Sequence, residues 1–332
     1  SLMRLPGEAY LVGIGVMTVN LLRAWADLRR VFTAWLVGAA ATALAGVAGV
    51  VFFYGAGLRS QAVNTTLERF GSLPAGNYPR LRASFANANM LCTYMGVSLM
   101  VLLVTRALGW IRASWFLALG AASWFTALLS LSPGIGGLLL AQGLWTWDRE
   151  GRDPGRRRLA GLVLAAGIAG AVAFFAATVI EPVSRGNGPA FRVPIIDRTI
   201  EPSIRVLLWQ RALNTFLAYP IAGQGLGTRL APMTYVAASG EVQTLHDAHN
   251  VWLSVAGQAG IIGLAAFLSL VVYVWRCTAR RSGDDERLAT VKLGLRLAFV
   301  SLVLFQGLSG SFENTRHMWV LMGLMASVEE GL

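Results

Sequence analysis

Two histidines stand at the mouth of one long apolar helix. The segment reads LHDAHNVWLSVAGQAGIIGLAAFLSLV, with His246 and His249 just ahead of a run carrying Gly260-Ile261-Ile262-Gly263 in its early turns. Asp247 and Asn250 are near enough in sequence to orient an imidazole. A titratable ring at a membrane surface, beside a helix rich in Gly and Ala, points to chemistry on a lipid-linked substrate. Two pairs of guanidinium groups accompany it: Arg80 and Arg82 in PRLRASFANANML, and Arg205 and Arg211 in RVLLWQRALNTFLAYP. Asn87 and Asn89 follow the first pair, and Glu313 lies in SGSFEN. Each has a plainer role beside the chemical one. His246 can be an ordinary loop residue, the asparagines can cap a helix, Glu313 can be solvated, and the arginines can hold lipid headgroups.

The elements that must position these groups are membrane helices. Of 332 residues, 55% are hydrophobic and only 14% charged, a composition far from that of a soluble domain. The net charge of +11 is concentrated in arginine clusters between apolar runs, so it reports topology rather than nucleic-acid binding. The two cysteines, Cys92 and Cys277, fall near opposite membrane faces and are expected to remain unpaired thiols.

Apolar segments run at 9–22, 31–58, 89–105, 113–131, 134–147, 160–180, 251–275, 289–308 and 315–328. A spanning helix needs about 20 residues, so the first, fifth and last are short. Four basic clusters separate them: Arg23, Arg29 and Arg30; Arg106 and Arg112; Arg149, Arg152 and Arg156 to Arg158; and Arg276, Arg280, Arg281 and Arg287. If all four are cytoplasmic, the parity closes. Loops 59–88, 132–133, 181–249 and 309–314 then emerge together on the other face. The expectation is an all-α fold, a polytopic bundle of about nine transmembrane segments forming one integral membrane domain over 1–332. Two of its outer loops, 59–88 and 181–249, are long, and the second contains helix. Long loops of this kind usually carry function.

Within the second loop, Glu201-Pro202 reads as the start of a helix that Pro220 ends. Val206, Trp209, Leu213 and Phe216 share one face of it, a stripe suited to the membrane interface or the bundle top. Gly223, Gly225 and Gly227 in PIAGQGLG should make a tight turn rather than a dinucleotide loop, since no strand precedes them. Gly257, Gly260 and Gly263 recur at spacings that let a neighbouring helix approach closely. The other outer arginines, Arg185, Arg192, Arg198 and Arg229, read as solvent or headgroup contacts, and most of the eleven tryptophans as interfacial anchors.

Three strings, taken in order on one membrane side, resemble the O-antigen ligase superfamily: PRLRASFANANML, RVLLWQRALNTFLAYPIAGQGLG, and His249-Asn250-x9-Gly260-x2-Gly263. The resemblance spans about residues 80 to 314. It covers O-antigen ligases, O-antigen polymerases and bacterial O-oligosaccharyltransferases, and is strongest to the ligases. It implies transfer of a glycan from undecaprenyl diphosphate to an acceptor hydroxyl at the periplasmic face of the bacterial inner membrane. Lipid A–core is the first acceptor it suggests, with another lipid-linked repeat or a protein hydroxyl as alternatives. It also implies several further helices before this chain. Where many members carry Ser-Arg-Gly, this chain has Ser132-Pro133-Gly134, so one phosphate-binding arginine is absent or comes from elsewhere.

On that reading His249 removes the proton from the attacking hydroxyl. A ring with a pKa near 6.5 suits the task, and a helix N-terminus favours its neutral form. Its alternatives are a donor to phosphate oxygens or an interfacial residue without a task. Arg80 and Arg205 are the preferred diphosphate ligands, with Arg82 and Arg211 behind them. Asn89, Asn250, His246 and Glu313 are candidates for support. No HExxH, DxD or metal-spaced Cys/His set occurs, so no cofactor or metal is expected. Two other classes stay open: a transporter and an inactive scaffold. Transporters place ionisable groups within their spans. Here the interior of each apolar segment is nearly free of them, apart from Lys292 and Arg296 near the inner end of one segment.

Overall fold

A computed structural model describes residues 5–55, 66–70, 78–132, 134–150, 154–181, 191–193, 198–202, 204–228, 230, 233–236, 242–245, 248–280, 283, 285–310 and 315–329. Its helices are α1 (Leu5–Leu21), α2 (Trp25–Tyr54), α3 (Ala88–Ala107), α4 (Ala113–Leu129), α5 (Gly134–Glu150), α6 (Pro154–Val179), α7 (Ile204–Ala218), α8 (Val251–Ala279), α9 (Glu286–Ser309) and α10 (Arg316–Ser327). Every one of the nine apolar segments has become a helix, and α7 is the helix expected inside the second outer loop. Among the described residues, α2, α3, α8 and residues 286–305 of α9 are long and apolar enough to cross a membrane. The short segments stay short. At a rise of about 1.5 Å per residue, the 12-residue α10 extends only about 18 Å.

The bundle is organised around α3. Buried residues make up 83% of its apolar window, against 28% in α2 and α8, which turn most of their surface outward. Helices α2, α4, α5 and α9 pack on α3, while α1 lies on α10 and α6 on α5. The α5–α6 contact depends on the missing side chain of Gly167, because a methyl group there would stand 2.6 Å from the backbone nitrogen of Leu140.

The two ends of the bundle differ in kind. At one end the arginine-bearing turns meet: Trp25 packs edge-on against Trp110 at 6.3 Å, and Arg149 donates to Thr290 Oγ1 at 2.8 Å. Arg280 pairs there with Glu329 beyond α10. The other end carries the remaining connections. It includes three small antiparallel arrangements that the sequence pattern does not announce: β1 (Leu67–Phe70) with β2 (Tyr78–Leu81); β3 (Ile180–Glu181) and β4 (Phe191–Val193), both paired to β5 (Arg198–Pro202); and β6 (Met233–Val236) with β7 (Val242–Leu245). Glu201 and Pro202 belong to β5, where Pro202 lies opposite Ile180, so α7 starts two residues later than its proline suggested. Cys92 and Cys277 are both buried free thiols, in the outer half of α3 and at the inner end of α8.

Candidate functional site

The first half of the site forms where β2 runs into α3. Asn87 caps α3, its Oδ1 accepting from the backbone nitrogen of Met90 at 2.9 Å. This fixes the direction in which Asn89 leaves the first turn. Arg80, only 6% exposed, donates from Nη2 to Asn89 Oδ1 at 2.7 Å and from Nε to the Ser130 carbonyl at 2.8 Å. That carbonyl is at the C-terminus of α4, where a cation is favoured. A charge buried to this degree needs such partners, and the two bonds fix the guanidinium plane. Arg82 sits higher and is half-buried, on the turn that its own backbone and Ala83 tie to the Thr66 carbonyl.

Beneath Arg80 the chain turns from α4 into α5 through Ser130 and Ser132, both buried. Ser132 Oγ accepts from the Gly134 nitrogen, and the Cys92 thiol lies within hydrogen-bonding reach of both serine hydroxyls. Gly134 lets this turn pack: a methyl there would meet Cys92 Sγ at 3.2 Å and Phe305 at 3.3 Å. Phe305 lies on α9, and two residues on, Gly307 receives the indole of Trp252 from the first turn of α8. A continuous chain of contacts therefore runs from Arg80 through Cys92, Gly134 and α9 to the N-terminus of α8.

The second half of the site is that N-terminus. Asn250 caps α8, its Oδ1 accepting from the nitrogens of Trp252 at 3.0 Å and Leu253 at 3.1 Å. Asn250 is thus a capping residue. His249 immediately precedes it, half-buried, with a left-handed backbone (φ 45°).

The glycines that follow do a different job from the one their spacing suggested. Among the described residues, no neighbouring helix fills them. Instead α8 is broken at Gly260 (φ 63°, ψ −161°), and the turn after α7 is inserted into the break. Gln224 and Gly225 donate to the carbonyls of Gly257 and Gln258, while Ile261 and Ile262 donate to those of Pro220 and Ile221. Backbone groups freed by the break are satisfied by the turn, the condition for irregular chain at membrane depth.

Helix α7 accordingly packs against α8. Leu208 and Ala212 are its fully buried residues. Of the expected stripe, Val206, Trp209 and Phe216 are half-buried and Leu213 is exposed, as are Leu217, Tyr219 and Ile221 beyond it. Arg205, one turn before Leu208, is half-buried at the outer end of α7, whereas Arg211 is exposed further down. The structure thus joins Arg80 to Asn89 directly. It places Arg205 and His249 at the outer ends of two packed helices, and leaves Arg211 on the exposed face. His246 and Glu313 lie outside the described residues, as does Arg229.

Two features escape a reading of the sequence. His317, in the first turn of α10, is buried, with Nε2 3.0 Å from Thr93 Oγ1 and its ring edge-on to Phe85 and Tyr94. A histidine opening an apolar helix was the available signal, the same one that marks His249. The second is backbone strain. Among the described residues, the non-glycine residues with positive φ are Ala83, Leu131 and His249. The first follows Arg82, the second follows Ser130 where Arg80 is anchored, and the third is the candidate base. Such conformations cost about 1–3 kcal/mol each and cluster at functional sites.

No curated protein matches the chain. A family model described as O-antigen ligase matches residues 93–268, more than half of the chain, from the outer half of α3 past the break in α8. The matched stretch includes Arg205, Arg211 and His249 and stops short of Arg80 and Asn89. With its bundle of membrane helices, the chain belongs to the O-antigen ligase family, whose members are glycosyltransferases of the ligase or polymerase type acting on a lipid-linked glycan and an acceptor.

Proposed function

We propose that this protein transfers a glycan from undecaprenyl diphosphate to an acceptor hydroxyl at the periplasmic face of the inner membrane, with lipid A–core as the acceptor. The acceptor oxygen bonds to the anomeric carbon as the bond from that carbon to the diphosphate oxygen breaks. The hydroxyl proton passes to the neutral His249 ring, and the electron pair leaves on the diphosphate. Attack from the side opposite the leaving group inverts the anomeric centre. Arg80 and Arg205 bind the diphosphate and take up its developing charge. The lipid diphosphate is already an activated leaving group, so the scheme uses no metal.

The observation that carries this reading is the placement of strain. The three left-handed non-glycine residues stand beside Arg82, beside the anchor of Arg80, and at His249 itself. Glycine or asparagine would adopt those conformations at less cost. Arg80 is also bonded to the turn in which many family members carry Ser-Arg-Gly, so it supplies a guanidinium where Ser132-Pro133-Gly134 offers none. The test is His249→Ala in purified, lipid-reconstituted protein assayed for glycan transfer to lipid A–core. General-base loss is expected to lower turnover by about 100-fold or more, with melting unchanged. Undiminished turnover would discard the reading. Transfer to a glycan repeat or a protein, but not to lipid A–core, would replace the acceptor alone.

A further inference from the structure

The opposite end of the bundle holds a second concentration of cationic chemistry. A groove of about 630 Å³ lies between the start of α2, the α3–α4 turn and the start of α9, lined by Trp25, Arg29, Arg30, Thr33, Trp110 and Arg287 among others. We infer that this groove is a binding site for the headgroup of an anionic phospholipid, held by Arg29, Arg30 and Arg287 over the Trp25–Trp110 pair.

Charge and shape both favour that occupant. Arg149 and Arg280, at the same end, pair with Glu286 and Glu329, and the Arg296 guanidinium donates to the Thr278 carbonyl. Among the described residues, Arg30 is the one of the three groove arginines with a carboxylate partner. That partner is Asp27 at 3.0 Å, but Arg30 is 79% exposed, so the pair is weak and easily exchanged. Asp285 is occupied in capping α9 through the nitrogens of Arg287 and Leu288. The groove therefore carries an excess of positive charge in forks that match phosphate oxygens.

The groove also opens onto lipid-facing surface. Thr33 at its edge continues along α2 to Val37, 63% exposed, and Leu44, 72% exposed, on the same helix face. A phosphate in the groove would thus sit above an apolar strip long enough for acyl chain. The tryptophan pair stands at the level where interfacial aromatics belong. Basic pockets between membrane helices recognise anionic headgroups in this way. A free phosphate would make no use of the apolar strip.

The test is competition between phosphatidylglycerol and phosphatidylcholine for the purified full-length chain, read by native mass spectrometry. The wild type is expected to retain phosphatidylglycerol in preference by about ten-fold or more. In Arg29→Gln/Arg30→Gln/Arg287→Gln the preference should fall to about two-fold or less. Arg156→Gln/Arg157→Gln/Arg158→Gln removes the same charge from exposed positions on α6 and should keep the preference. Should the groove triple fail to fold, Arg287→Gln alone is expected to lower the preference about three-fold. The proposal is overturned if the control triple loses as much, if the wild type shows no preference, or if millimolar inorganic phosphate displaces the lipid.

Discussion

Arg80 and Asn89 meet across 2.7 Å, the guanidinium of a strand bonded to the amide oxygen of a helix's first turn. The bond joins the outer hairpin to the central helix and sets the plane in which the buried cation faces the outer end. It also separates two roles for Arg80, since a structural cation and a phosphate ligand respond differently to a change at position 89.

Asn89→Asp keeps the acceptor and the size of the side chain but neutralises the guanidinium. A purely structural Arg80 would gain a stronger, charge-assisted partner, and transfer would be unchanged. A diphosphate-binding Arg80 would lose affinity for its anionic ligand. The expected result is a melting temperature at or above wild type with a donor KM raised about ten-fold. Unchanged donor KM would return Arg80 to a structural role.

The two arginines of α7 should separate in the same assay. Arg205 lies at the outer end on the packed side of the helix, whereas Arg211 is exposed two turns further down. Replacing Arg205 with Ala is expected to reduce transfer about 100-fold, near the effect of losing a charged contact to a developing anion. Arg211→Ala should stay within about three-fold of wild type, and equal losses would contradict this placement.

The helical segments were legible because continuous apolar runs and arginine-rich turns are local signals. Asn87 as a cap belongs to the same class, since a cap is set within four residues. What could not be read depends on partners far along the chain. Gly257, Gly260 and Gly263 have the spacing of a close-packed helix pair, and nothing in that spacing distinguishes a broken helix filled by residues 220–225. His317 went unseen for the same reason: its partner Thr93 is 224 positions away. Pairing in the short strands likewise leaves no alternation long enough to detect.

The inner end of α10 offers a test in pH. Glu329 accepts from the Cys277 thiol at 3.2 Å and from the Tyr273 hydroxyl at 3.3 Å, and pairs with Arg280. The hydrogen bond from Cys277, followed by the Arg280 charge, holds its carboxyl below the ordinary value of 4.5. A depressed folded pKa means stability that is present above the unfolded value and lost as pH falls through the folded one. Glu329→Gln should therefore melt about 1–2 °C below wild type at neutral pH. The difference should fade as pH falls below 4.5. A gap that persists unchanged in acid would show that packing, not ionisation, holds this tether.

The break in α8 is the feature on which the geometry of the second half-site depends, and it can be tested by one methyl group. At Gly260 a side chain would meet the Ile221 carbonyl oxygen at 2.2 Å, on a backbone with φ 63°. The atoms it would meet in Ile221 and Ala222 are all main chain, so none can rotate away, and Gly260→Ala must expel the turn or straighten the helix. A loss of about 3 kcal/mol or more is expected, together with loss of transfer, since α7 and Arg205 are held to α8 through that turn. Gly161→Ala provides the contrast. It lies inside α6 with nothing within 4 Å of the added carbon, and should be neutral or stabilising by up to about 1 kcal/mol. If Gly260→Ala melted like Gly161→Ala and kept its activity, α8 would be a continuous helix in the membrane. The turn would then not be what holds α7 against α8.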